Sequence, residues 1–262
     1  MRIVSAGIAV LLMVSAAPAS AGLFGKKDKP AEAEPTSASA SAPQATQLPA
    51  PQADPGFTPA TDAEIQAALR SDPLAQAAFF SNQYEHNPTD ANMGLYLSNA
   101  LRGLGCYAEA ADAAHRVLLF APDNEAVLIA AARAHIADNN AFFAIDLLEQ
   151  AISLKPKDWM AYSLLGVAYE QTKRPEDAQA TWTKALQLAP NNPFILTNMA
   201  MAKVTRGDFA GAEPLLRTAV AQPGATLQMR QNLALVLGLQ NKMGEAEQLL
   251  RRDLPPQQAD AS

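Results

Sequence analysis

Apolar residues recur three or four apart through residues 159–192, WMAYSLLGVAYEQTKRPEDAQATWTKALQLAPNN. Trp159, Tyr162, Leu165, Gly166 and Tyr169 share one helical face, and Ala178, Trp182 and Ala185 share another. Lys173, Arg174 and Pro175 interrupt the pattern between the two halves, and Pro190 closes the second. The pattern predicts a helical hairpin that carries small residues where its two helices approach closely.

The same pattern returns at steps of 34 residues. Ala178 is matched by Ala110, Ala144, Ala212 and Ala246. Gly166 is matched by Ser98, Ala132, Ala200 and Ala234, all small, and Leu165 by Leu97, Ala131, Met199 and Leu233. Pro190 is matched by Pro88, Pro122 and Pro156, and by Gly224 beside Pro223. Units therefore run over 91–124, 125–158, 159–192, 193–226 and 227–255 without an insertion. A degenerate unit, 61–90, precedes them: Pro88 keeps the register, but Gln76 and Glu64 stand where the others have alanine and a small residue. Thr61 is expected to cap a short helix there, and Pro73 to open the next.

The length, the small residues and the closing proline resemble the tetratricopeptide repeat (TPR). The resemblance implies an all-α fold, a superhelix (α-solenoid) of antiparallel helical hairpins. It also implies that the first helix of each hairpin lines an inner groove. Aligned with Met160, Ser163, Val167 and Glu170 of the central unit are Asn92, Leu95, Asn99 and Arg102 in the first clear unit. Ile129 and Arg133 follow in the next, then Phe194, Thr197 and Met201, then Gln228, Gln231 and Leu235. These sixteen residues are the expected protein-binding groove, polar and cationic towards the N-terminus and apolar in the middle. Such a surface suits an extended or helical peptide, with Asn and Gln pairing to its backbone and Met repacking around its side chains. TPR proteins that clamp a terminal carboxylate use lysines with asparagines. Here Asn99 matches, but Leu95 and Ala126 stand where lysines would be needed, which argues against a chaperone-tail clamp.

The rest of the chain narrows the setting. Residues 1–21 read as a signal peptide: Arg2, an apolar run Ile3–Ala17, then Ala19-Ser20-Ala21 before a cut at Gly22. The apolar run is short for a spanning helix, and an uncleaved anchor is the alternative. Residues 22–60 form an expected disordered linker: from Pro30 to Pro59 it is mostly alanine, serine, proline and glutamine, with Leu48 and Phe57 its only large apolar residues, too few to offset the entropy of ordering it. Residues 256–262 form a polar tail.

The final stretch RQNLALVLGLQNKMGEAEQLLRRDLP resembles the end of TadD-type proteins of tight-adherence (Flp) pilus assembly, as does the plan of export signal, linker and repeats. That resemblance implies a periplasm-facing adaptor or scaffold, peripheral to the outer membrane, with a pilus secretin or another assembly protein as partner. Members of that group are commonly lipoproteins, whereas Gly22, not a cysteine, directly follows the signal segment of this chain, which leaves no usual lipid attachment point. Membrane association is accordingly expected only through partners or an uncleaved signal segment. A general periplasmic scaffold or chaperone of envelope biogenesis is the alternative reading.

Composition adds exclusions. With a net charge of −6 and no basic block in the repeats, nucleic acid is not an expected partner. Cys106 stands alone, so an intrachain disulfide is excluded; a buried thiol is expected, or else an intermolecular bridge. His86, His115 and His135 are not spaced as ligands on one helix, and no nucleophile, nucleotide-loop or zinc motif is present. His135 is expected to pack inward at the place of Tyr169, and His115 to lie exposed or half-buried on a second helix. No enzyme activity, cofactor or metal is expected.

Overall fold

The structure is a computed structural model that describes residues 52–251. Internal contacts divide the chain into residues 1–47 and 48–262, and every described residue belongs to the second part. The signal segment, the linker up to residue 51, and the Leu254-Pro255-Pro256 stop with its polar tail lie outside the described residues.

Among the described residues there are twelve α-helices and no strand. They pair as α1 (Asp62–Ala68) with α2 (Pro73–His86), α3 (Ala91–Gly103) with α4 (Tyr107–Leu118), and α5 (Glu125–Ala137) with α6 (Phe142–Leu154). Then come α7 (Trp159–Gln171) with α8 (Pro175–Leu188), α9 (Pro193–Thr205) with α10 (Phe209–Val220), and α11 (Leu227–Leu239) with α12 (Met243–Arg251). The starts of α3, α5, α7, α9 and α11 are spaced by the 34-residue period.

Two local devices repeat at that period. The residues before the five first helices, Asp90, Asn124, Asp158, Asn192 and Thr226, each accept a backbone N–H with their side chains. This satisfies donors that a helix start leaves without partners. Within each of the five hairpins from α3 to α12, the turn contains one residue of positive φ: Gly105, Asn139, Lys173, Gly207 or Asn241. Glycine and asparagine suit that left-handed conformation; Lys173 at φ 63° adopts it against its Cβ.

The small residues of the repeat lie where the helices cross. Ala110, Ala144, Ala178 and Ala212 have no solvent exposure, and Ala246 is also buried. At Gly166 a Cβ would stand 2.3 Å from Trp182 Nε1, so only glycine lets the buried indole lie against α7. Gly94 is crowded in the same way by Val117 and Tyr84. Three apolar clusters follow one another along the stack: around Phe80, Tyr84 and Val127; around Leu148, Leu165 and Trp182; and around Leu216, Leu233 and Val236.

Each second helix packs on the first helix of its own hairpin and of the next, while successive first helices also touch one another. The first helices thus form the more closely spaced layer, which in a stack of rotated repeats is the inner one. The last hairpins are further joined by ions. Glu213 of α10 accepts from Arg217, from Gln240 and from Lys242, and Arg217 reaches Glu245 of α12. Hydrogen bonds from Lys242 and Arg217 lower the Glu213 pKa to about 2.

Residues 54–60, expected as the end of the linker, are already held. Asp54 N donates to His86 O, Ala60 N donates to Gln83 Oε1, and the Phe57 ring stacks on His86 at 4.7 Å. Thr61 and Glu64 form a reciprocal capping box at the start of α1. Cys106 is half-buried rather than buried; it precedes α4 and makes no side-chain cap.

Candidate functional site

The first-helix layer carries a cleft of about 340 Å³ at the middle of the stack, lined by Arg133 of α5, by Trp159, Met160, Ser163 and Leu164 of α7, and by Phe194 and Asn198 of α9. Its size is at the lower end of ordinary binding clefts, and its composition follows their usual plan of apolar walls with a few placed polar groups. Phe194 is 48% exposed, and its ring stacks over Trp159 with centroids 6.3 Å apart. Phe142 and Phe143 of α6 are exposed as well, but among the described residues it is Phe194 whose ring lines this cleft.

Polar contacts between successive first helices fix this face. Asn198 Nδ2 donates to Ser163 Oγ at 3.0 Å, Gln171 Nε2 donates to Ile136 O at 3.2 Å, and Arg206 donates to both oxygens of Glu170 at 2.6 and 2.7 Å. Behind the cleft, Trp182 Nε1 donates to Ser163 O at 3.0 Å. Ser163 therefore ties α7 to α8 and α9 at one point. A neighbouring cleft of about 210 Å³ is lined by Val167, Glu170, Gln171, Met201 and Thr205, among others.

Arg133 is the charged member of the central cleft. It donates to Met160 Sδ and makes no ion pair among the described residues. Burial is the main cause that lowers its pKa, followed by the charge of Arg102; Asp158 acts in the opposite direction. Arginine remains charged under these shifts, so the cleft keeps a fixed, partly desolvated positive charge.

Of the expected groove residues, the structure brings Arg133, Met160, Ser163 and Phe194 together in the central cleft and Val167, Glu170 and Met201 in its neighbour. Asn92, Gln228, Gln231 and Leu235 are exposed further along the same layer; Leu95, Asn99, Arg102 and Thr197 are half-buried. Leu95 packs against the N-terminal core, and Thr197 donates to Pro193 O of its own helix. Two of the expected residues are more buried than a groove-facing position implies. Ile129 is only 6% exposed and belongs to the core between hairpins, and Ser163 is 2% exposed and acts through its bonds to neighbouring helices. Both share a register with the half-buried Thr197 and the exposed Gln231, so it is the packing of the neighbouring helices that decides their burial. Trp159, Leu164 and Asn198 were not expected in the groove. Leu164 and Asn198 share one repeat position, 34 residues apart, so the register could have found them as a pair.

His115 is exposed, as expected, but the two histidines form a contact that was not expected. His115 of α4 and the half-buried His135 of α5 meet across the helix interface, with their Nε2 atoms 2.8 Å apart. One ring must donate and the other accept. Burial, and then the neighbouring His115, lower the His135 pKa. Phe143 covers the other side of His135. Among the described residues no group of three or more His, Cys, Asp or Glu side chains is placed to hold a metal ion. A wider hollow of about 810 Å³ opens between α2, α3 and α4, walled by residues such as Leu74, Leu101 and Leu104, and shares no residue with the expected groove. No described helix is long and apolar enough to cross a membrane.

Comparison with known proteins agrees with this architecture. Residues 159–192 and 197–259 match tetratricopeptide repeat models. No curated protein sequence matches the chain. Among solved structures, a thermophilic TPR protein of Thermus thermophilus, TTC0263, superposes with a TM-score of 0.57 at 19% identity, covering 67% of this chain and 94% of its own. MamA from Desulfovibrio magneticus RS-1, residue 41 to the end, gives a TM-score of 0.51 at 21% identity, covering 61% of this chain and 90% of its own. At these identities the likeness concerns the fold. The chain carries tetratricopeptide repeats in an all-α solenoid, an architecture suited to binding proteins.

Proposed function

We propose that this chain is an exported, non-catalytic TPR adaptor that holds a segment of a partner protein along its first-helix layer. The observation that carries this reading is the central cleft, where Trp159, Met160, Leu164 and Phe194 offer apolar surface beside Arg133 and Asn198. A rigid stack can hold such a surface open, because neighbouring repeats fix each helix on both sides. Elongated partner segments match this geometry: the cleft continues into its neighbour, and the exposed Gln228, Gln231 and Leu235 extend the layer towards the C-terminus.

The system in which it acts is tight-adherence pilus or secretin assembly, on the periplasmic side and peripheral to the outer membrane. Support for this comes from the signal-like residues 1–21, the Ala/Pro-rich stretch that follows, and the resemblance of the run from Arg230 to Pro255 to TadD-type proteins. Affinity purification of the chain from its native host in gentle detergent should bring down a secretin or another pilus-assembly protein, and a deletion strain should lose surface pili. Normal piliation, with no pilus component recovered, would overturn the assignment to this system. A general periplasmic scaffold would then remain, recognisable by partners drawn from envelope biogenesis instead.

A further inference from the structure

The charges along the first-helix layer are not balanced internally. Glu170 is held by Arg206 at the C-terminal end of the next first helix, and Glu125 by Lys155. Arg102 of α3 and Arg133 of α5 have no such partner: neither takes part in an ion pair among the described residues. Arg102 Nε is shielded from solvent and makes no hydrogen bond. Arg133 donates only to the thioether of Met160, a weak acceptor. Burial disfavours the charge of Arg133 most, and the charge of Arg102 adds to that cost. Asp158, the carboxylate that offsets part of it, already accepts Met160 N as the cap of α7. Desolvated cations of like sign on adjacent helices destabilise a fold unless an anion completes them, and arginine's planar fork is the group best matched to a carboxylate.

We infer that the groove selects an internal acidic segment of its partner, with one or two Asp or Glu side chains seated on Arg102 and Arg133 and an adjoining bulky apolar residue seated against the exposed face of Phe194. This rests on the groove reading above and adds a ligand class to it. The carboxylates would gain charge-assisted hydrogen bonds inside a partly desolvated cleft, and the neighbouring apolar residue would cover the exposed face of Phe194. An uncharged apolar segment would cover both half-buried guanidinium groups without supplying a carboxylate, so the arginines also act against the wrong ligand.

The test uses random twelve-residue peptides displayed with their C-termini fused, selected on the immobilised full chain. Enriched sequences are then synthesised with amidated C-termini, alongside versions in which Asp and Glu become Asn and Gln. Binding is measured by fluorescence anisotropy to the wild type, to an R102Q/R133Q double variant and to Phe194→Ala. The expected result is that acidic peptides bind the wild type at least about tenfold tighter than their amide versions. That preference should disappear in R102Q/R133Q, while Phe194→Ala weakens both peptides alike. If the double variant does not fold, R133Q alone should reduce the preference. Amide versions that bind as tightly as acidic ones, yet still depend on Phe194, would overturn the charge selectivity and leave the groove reading intact. Peptides indifferent to all the substitutions, or no enrichment at all, would overturn both.

Discussion

Trp182→Ala should lower the stability of the repeat region by about 3–5 kcal/mol, the range found when a large buried aromatic is truncated. The ring is 2% exposed, so nearly all of its surface is lost to the core on folding. It rests on Gly166, whose missing side chain makes room for the indole and for nothing else. Truncation would leave a cavity against a helix with no side chain there to fill it. It would also remove the donor to Ser163 O, at the residue through which α7 is bonded to Asn198 of α9. The damage should therefore extend from the central hairpin into the next. Chemical denaturation followed by circular dichroism measures the effect. A change below about 1 kcal/mol would mean that the central hairpin is not closed by this contact.

Phe194→Ala should separate binding from folding. The ring is half exposed and stacks on Trp159 at a long 6.3 Å, so its removal should cost the fold no more than about 1 kcal/mol. An aromatic at the centre of a binding surface is where affinity concentrates, and losing such an anchor costs about 2 kcal/mol or more, roughly a thirtyfold weaker complex. Titration of the co-purified partner against wild type and variant, together with their melting temperatures, checks both halves. Equal affinity would remove Phe194 from the interface.

The periodic part of the fold was open to reading because a solenoid writes the same contact many times. The alanine at positions 110, 144, 178, 212 and 246 is one helix crossing repeated, and all five are buried. The side-chain caps and the positive-φ turns repeat with the same regularity. They emerge from the sequence only when residues such as Asp90, Asn124, Asp158, Asn192 and Thr226 are compared by register rather than by identity.

The groove was less legible because a shift of one position, about 100° around a helix, separates core from solvent. Ile129 illustrates this: its register placed it in the groove, and packing between hairpins took it into the core. Trp159 illustrates the reverse, since an aromatic at the start of a helix carries no sign of which of its faces stays in water. The meeting of His115 and His135 depended on a contact between helices of different hairpins, which no spacing along one helix reveals.

The central claim is that partner proteins lie on the first-helix layer. Site-specific photo-cross-linking in the native host tests it most directly, with the reactive group placed at Phe194 in one strain and at Lys184, on the exposed face of α8, in another. The account predicts a discrete adduct from position 194 and none from position 184. Adducts from position 184 alone, or equally from both, would contradict it.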